Sequence, residues 1–308
     1  MDTEYDLIVV GAGPTGMTSA MFAGRSHLKT LLIERMVPGG QIATTSTVEN
    51  YPGFTDGIEG PDLSEAMLEH AKKWGATTTF NEVTGIRVEG DYRVVETPDG
   101  ELKAKALIIT SGADHRRLGV PGEMEFMGKG VSNCAVCDGA FFADSPVAVI
   151  GGGDGAIDEG IYLTRYASKV TVVHRRNELR ASKILAERAL ANPVMDFAWN
   201  SVVESINGNK VVESVTLKDT ANGATTTLPV EGVFIYVGLV PNTDYLKGMV
   251  DLDGGGHILV NPRMETNIPG VFAAGDIRQK AARQLVSAAG DGATAAVSVR
   301  HYIKSLAG

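Results

Sequence analysis

The stretch Tyr5-Asp-Leu-Ile-Val-Val-Gly-Ala-Gly-Pro-Thr-Gly16 decides how this chain folds. Its apolar opening reads as a strand buried on both faces of a parallel sheet. The strand runs straight into Gly-x-Gly-x-x-Gly at Gly11, Gly13 and Gly16. In such a turn the first glycine permits the sharp bend and the second lets a pyrophosphate approach the backbone. The third lets helix and strand pack closely, and the helix N-terminus offers N–H groups and partial positive charge. Pro14 suits a first helical turn, where its missing donor costs nothing. An apolar helix is expected from about Pro14 to Ser26, through Thr15, and a second strand over Lys29–Glu34. Glu34 ends that strand about 23 residues after Gly11, where a carboxylate can accept hydrogen bonds from ribose hydroxyls. It also repels a 2′-phosphate, so this unit is expected to hold FAD or NAD.

The pattern returns mid-chain. Pro146–Ile150 reads as a strand, Gly151, Gly153 and Ala156 as the Gly-x-Gly-x-x-Ala variant, and roughly Gly155–Tyr166 as a helix. The strand Lys169–Val173 follows, but here it ends in His174-Arg175-Arg176, with Arg180 four residues further on. Guanidinium forks suit a phosphate monoester, so a second nucleotide, NADPH in preference to NADH, is expected. The plain alternative is a solvated charge run.

Only two cysteines exist, in Cys134-Ala-Val-Cys137, with Asp138 next. A disulfide across two residues removes little unfolded-state entropy, so the pair reads as redox chemistry. Zinc wants four ligands, and no second such pair exists. Asp138 is the nearest candidate general acid for the thiolates that reduction produces; helix N-capping is its other reading.

With 308 residues the chain is long enough for two domains, and 44% hydrophobic with 21% charged residues describes a globular protein. A net charge of −9 opposes a nucleic-acid partner, which would need a cationic face. Met1–Asp6 lacks a cationic flank and the apolar runs are short, so neither a signal peptide nor a membrane span is expected, and a cytoplasmic home is the default. Residues from about Thr77 to Thr110 suggest a small antiparallel sheet, turning at Pro98-Asp-Gly100, followed by a separate buried strand, Ala106–Thr110. A comparable strand-rich stretch spans about Phe197–Val237. Pro269–Asp276 reads as a short strand stopping at Gly275 and Asp276, and Gln284 to about Ser305 as an alanine-rich helix with Gly290 and Gly292 as weak points.

Over essentially its whole length the chain resembles the low-molecular-weight thioredoxin reductases. The likeness is carried, in order, by Gly11–Gly16, Pro38-Gly-Gly-Gln41, Val48-Glu-Asn-Tyr-Pro-Gly53, Cys134–Asp138, Gly151–Ala156, His174–Arg176 with Arg180, Gly275-Asp276 and Arg283-Gln284. The resemblance implies an α/β fold of two Rossmann-like nucleotide-binding domains. An FAD domain in two segments, 1–114 and 244–308, would be interrupted by an NADPH domain, 115–243, carrying the cysteines. It further implies a homodimer and thioredoxin as the protein substrate. Around FAD it places Arg35, Gly39, Gly40, Gln41, Thr45, Asn50, Val83, Gly275, Asp276, Arg283, Gln284 and Leu285, beside the first turn and Glu34. Around NADPH it places Asp154, Gly155 and Glu159, beside the second turn, His174 and the arginines. Asp154-Gly155 departs mildly from the family's usual pair there. By the same likeness Cys137 faces the flavin and Cys134 attacks the disulfide of thioredoxin. Since one inserted domain would bring both nicotinamide and cysteines to one flavin, a rotation is expected about Ser111–Leu118 and Val240–Asp244. Two other readings remain: a flavin-dependent reductase of another thioredoxin-like or glutaredoxin-like protein, and a non-catalytic nucleotide-binding redox sensor.

Overall fold

The structure is a computed structural model describing residues 4–306; the outermost positions of the N-terminal reading and of the first expected domain lie outside the described residues. The chain forms two compact units, one built from residues up to Asp114 and from Val240 onward, the other from His115–Leu239.

The first unit starts with β1 (Glu4–Val10), whose Leu7, Ile8 and Val9 are fully buried. A strand covered on both faces must be apolar at consecutive positions, as this one is. It feeds α1 (Pro14–Arg25) and then β2 (Thr30–Glu34), parallel to β1 with Val9 beside Leu32. The short ribbon of β3 (Thr47–Val48) and β4 (Ile58–Glu59) precedes α2 (Gly60–Lys73). β5 (Thr77–Phe80) then adds to β2 in parallel, and so belongs to the main sheet rather than to the small antiparallel sheet the sequence suggested. β6 (Gly85–Glu89), β7 (Tyr92–Thr97) and β8 (Gly100–Ile109) are antiparallel neighbours.

The hairpin arm and the expected separate buried strand are one element, β8. Its first half alternates, with Leu102 and Ala104 buried and Lys105 exposed; Ala106–Ile109 are then buried without interruption. The switch occurs where the strand passes from the hairpin to a place beside β1, Ile108 lying next to Val9.

The chain crosses over through β9 (Ala113–His115). The second unit holds β10 (Val131–Ser132), α3 (Ala135–Asp138), β11 (Pro146–Ile150), α4 (Asp154–Leu163), β12 (Lys169–Val173), α5 (Lys183–Leu190) and β13 (Met195–Ala198). α4 stops three residues before the expected Tyr166, because Thr164, Arg165 and Tyr166 tighten into bonds three residues back. An antiparallel trio, β14 (Ser201–Gly208), β15 (Val212–Asp219) and β16 (Thr225–Pro229), leads to β17 (Gly232–Ile235). The five-stranded sheet β10-β17-β11-β12-β13 is wholly parallel, with Phe234 and Ile157 fully buried in the unit's core.

The return passes through β18 (Leu239–Pro241), which pairs with β9. In the first unit β19 (Val271–Ala273) then pairs with β8, completing the order β5-β2-β1-β8-β7-β6 with β19 alongside β8. α6 (Leu285–Leu306) closes the unit. Gly292 does not weaken it as expected: a Cβ there would fall 2.3 Å from the Thr15 carbonyl, so glycine is what lets α6 lie against α1. Ser19 Oγ ties the same point to Gly292 O at 3.1 Å. The expected fold class, two Rossmann-like halves with the second inserted in the first, is the one observed.

Candidate active site

In the first turn Gly11 has φ +102°, and a Cβ there would lie 2.6 Å from Thr110 O. A Cβ at Gly16 would lie 1.9 Å from Gly11 O, so the third glycine is fixed by packing. Gly13, by contrast, would bring its Cβ within 4 Å of nothing. The glycine expected from the sequence to admit a ligand is the one with open space over it. Pro14 occupies the first turn of α1 and Thr15 is buried behind it. Glu34 closes the turn from below: Oε2 accepts from Ala12 N at 2.8 Å and Oε1 from Met36 N at 3.0 Å. Gly39 N donates to Ala12 O at 2.8 Å, and Gly40, at φ +57°, would set its Cβ 3.5 Å from Gly13 Cα. These residues converge on the N-terminus of α1, a fitting cradle for a pyrophosphate.

Gln41 Nε2 donates to Ala113 O at 3.0 Å, Thr45 Oγ1 to Gln41 O at 3.2 Å, and Asn50 Nδ2 to Gln284 Oε1 at 3.2 Å. Val83 packs on the core and Leu285 opens α6. Arg35 is exposed, 3.9 Å from Glu82. Gly275 N donates to Asp291 Oδ2 at 3.1 Å. Beside it, Asp276 has its carboxyl raised above the usual range, mainly by burial and also by Asp291, against the pull of Arg283 and Arg278. Arg283 reaches His257 Nε2 at 3.2 Å.

The second turn repeats the geometry with one substitution. Gly151 (φ +150°) would set a Cβ 2.5 Å from Tyr236 O and 2.7 Å from the Cβ of Ala156, which is buried at the third position. Gly153 and Gly155 again meet nothing within 4 Å. Asp154 Oδ1 accepts from Ser182 N at 2.6 Å, and Arg180 N donates to Gly152 O at 2.7 Å, which ties the arginine's backbone to the turn. His174 is only 6% exposed, and its Nε2 is buried with no hydrogen-bond partner among the described residues. Burial first, then Arg176, Arg175 and Arg180, hold its pKa below the ordinary value. All three guanidinium groups therefore act on one imidazole, and no carboxylate is bonded to them among the described residues. The three arginines are exposed, and guanidinium forks in such a cluster have the chemistry to take a phosphate monoester.

Cys134 and Cys137 are joined in a disulfide, with Cα atoms 5.4 Å apart. Cys134 is the N-cap of α3, its Sγ accepting from Cys137 N at 3.1 Å, while its own N–H donates to Ser132 Oγ at 3.0 Å. Cys137 is exposed and Cys134 half-buried. Asp138 is half-buried at the end of α3 and makes no side-chain cap, so the N-capping reading is replaced by the cysteine itself. Ala135 N donates both to Glu159 Oε2 at 3.2 Å and to Tyr236 Oη at 3.1 Å. Tyr236 and the exposed Phe141 were missed in the sequence. Tyr236 follows β17 directly, at the carboxyl end of a central parallel strand, which is the position that could have flagged it.

Two dinucleotide turns, one lined by an acid and one by arginines, together with an exchangeable disulfide, define a nucleotide-dependent disulfide oxidoreductase. The family described as "Pyridine nucleotide-disulphide oxidoreductase" matches residues 5–293. The chain belongs to this family and, within it, to the low-molecular-weight thioredoxin reductases. It is 51% identical over 303 residues to a protein of Bacillus subtilis (strain 168) named thioredoxin reductase, covering 98% of this chain and 96% of that one. Among solved structures it is similar to Lactococcus lactis thioredoxin reductase in the FR conformation, with TM-score 0.96, 46% identity and coverage of 98% and 99%. The thioredoxin reductase of T. acidophilum gives TM-score 0.94 at 35% identity, with coverage of 99% and 100%.

Proposed function

We propose that this protein reduces the disulfide of thioredoxin at the expense of NADPH, working as a homodimer in the cytoplasm, where a reducing poise suits a disulfide that must open and close. The observation that carries the reading is the closed Cys134–Cys137 disulfide in the unit that also holds the arginine-lined nucleotide turn. Bound FAD would accept a hydride from NADPH and pass its two electrons to sulfur.

The chain's own residues do the rest. Gly11, Gly13 and Gly16 admit the FAD pyrophosphate to the N-terminus of α1, with Glu34 toward the ribose. Residues 39–41, Thr45, Asn50, Asp276, Arg283 and Gln284 complete that site. Gly151, Gly153 and Ala156 do the same for NADPH, while Arg175, Arg176 and Arg180 grip the 2′-phosphate. Once reduced, Cys134 attacks the thioredoxin disulfide as a thiolate, forming a mixed disulfide. Cys137 then attacks Cys134 Sγ, restoring the internal disulfide and releasing thioredoxin as a dithiol. Asp138 passes a proton to or from the sulfurs. Phe141, 80% exposed and four residues beyond Cys137, offers the incoming protein an apolar contact. The inserted unit would carry both the nicotinamide and the cysteines; as the two cannot meet the flavin ring together, it would present them in turn by rotating about its crossings.

The test is anaerobic. NADPH should bleach the yellow protein, and oxidised thioredoxin should restore the colour. Bleaching without restoration would favour a sensor. Steady turnover in a protein crosslinked between its two units would sink the rotation.

A further inference from the structure

Glu159 lies on α4, and its Oε2 is shared by the Ala135 N–H at 3.2 Å and the Tyr236 hydroxyl at 3.4 Å. Ala135 is the residue after Cys134, and its N–H is the first of the four-residue helix that spans the disulfide. The same N–H also reaches Tyr236 Oη at 3.1 Å, so carboxyl, phenol and helix terminus close a three-membered polar ring. Whatever charge Glu159 carries is thus felt where the cysteines begin their helix.

We propose that Glu159, braced by Tyr236, is a positioning residue of the redox-active helix that takes up a proton when the Cys134–Cys137 bond opens and releases it when the bond closes. The disulfide and the Glu159 carboxylate, with two electrons and two protons, become one thiol, one thiolate and the Glu159 carboxylic acid. In turnover the electrons come from NADPH. A carboxylate bonded to the N–H that follows Cys134 and a new thiolate at the start of the same helix are like charges, and neutralising one member relieves their repulsion.

The surroundings poise this group for the task. Burial, and then the neighbouring charge of Asp158, push its carboxyl up to about 7, against the hydrogen bonds from Ala135 and Tyr236 that favour the anion. The other titratable groups around it are Tyr162 on α4, which feels Glu159, and Asp138 on α3, which acts on Tyr236. His115 packs edge-on to the Tyr236 ring, at 5.7 Å between centroids. α5, packed on α4, carries Lys183, Glu187 and Arg188. Burial holds the Tyr236 hydroxyl far above neutrality, so it stays protonated and acts as a donor to Glu159.

The inference rests on the reductase reading, and the test separates the two. The purified flavoprotein is equilibrated with reduced and oxidised dithiothreitol between pH 6 and 8.5, then alkylated, and its modified cysteines are counted by mass. The wild-type protein should take up one more proton per disulfide opened than Glu159→Gln, so its reduced-to-oxidised ratio, divided by that of Glu159→Gln, should fall about tenfold per pH unit above neutrality. Tyr236→Phe, which deprives the carboxylate of a donor, should move the break in the wild-type curve to higher pH and serves if Glu159→Gln fails to fold. Identical slopes for wild type and Glu159→Gln, or an unmoved break in Tyr236→Phe, overturn the proposal. So does loss of the second proton in Asp138→Asn alone. A disulfide that no dithiothreitol ratio opens would defeat the reductase reading itself.

Discussion

The imidazole of His174 lies against the backbone of Gly152, so closely that a Cβ on Gly152 would fall 2.5 Å from Nδ1. Gly152 therefore seats the residue that begins the arginine cluster, coupling turn and cluster through one contact. Gly152→Ala must push the ring away, at a cost of about 1–3 kcal/mol for an overpacked site. NADPH affinity should drop by about tenfold, the equivalent of about 1.4 kcal/mol, while flavin content stays full. Absorbance at saturation and a titration with NADPH read the two separately; loss of flavin together with NADPH would contradict the division.

Arg175→Ala and Arg176→Ala should each raise the KM for NADPH roughly tenfold to a hundredfold, as expected for a charge-assisted hydrogen bond worth about 1.5–3 kcal/mol. The KM for NADH should hardly move, because it lacks the 2′-phosphate. Steady-state kinetics with both nucleotides decide it, and equal losses for both would assign the arginines to general charge rather than to phosphate recognition.

Much of this site was legible because strand, turn and helix leave consecutive marks in the chain. Tyr5–Gly16 and Pro146–Ala156 each announce a buried strand, a tight bend and a helix start, and both elements formed where their residues indicated. From sequence β8 reads as two strands because its alternating and continuous halves face different neighbours, and a local pattern records burial rather than continuity. Gly292 reads as a weak point because propensity knows nothing of α1 lying against it. Tyr236 escaped for a related reason: its partners, Ala135 and Glu159, are 101 and 77 residues away. A tyrosine after a strand gives no local sign of where its hydroxyl goes.

The buried His174 makes stability depend on pH with a defined sign. Burial and three arginines depress its folded pKa, whereas in the unfolded chain it titrates near about 6.5. The unfolded state thus binds the proton first as pH falls, and stability present above that pH is lost on the way down toward the folded value. Urea midpoints for wild type should fall between pH 7 and pH 5 by more than those for His174→Asn. A 2′-phosphorylated nucleotide should shrink the difference by neutralising the arginines. Parallel pH curves for the two proteins would show that this histidine contributes nothing to the linkage.

Gly13 and Gly16 look alike in the sequence but should fail in opposite ways. A Cβ at Gly16 would sit 1.9 Å from the Gly11 carbonyl, an atom that cannot yield without undoing the turn. Gly16→Ala should therefore lower the yield of folded protein and its thermal midpoint. At Gly13 the added methyl meets no protein atom within 4 Å and obstructs only what would approach from outside. Gly13→Val should keep the far-ultraviolet circular dichroism of the wild type while binding FAD at least tenfold more weakly, a loss of about 1.4 kcal/mol or more. Apoprotein titrated with FAD, followed by flavin fluorescence quenching, measures this directly. If Gly13→Val bound FAD as tightly as wild type, the pyrophosphate would have to lie elsewhere than over the first turn, and the assignment of the first unit to the flavin would fall with it.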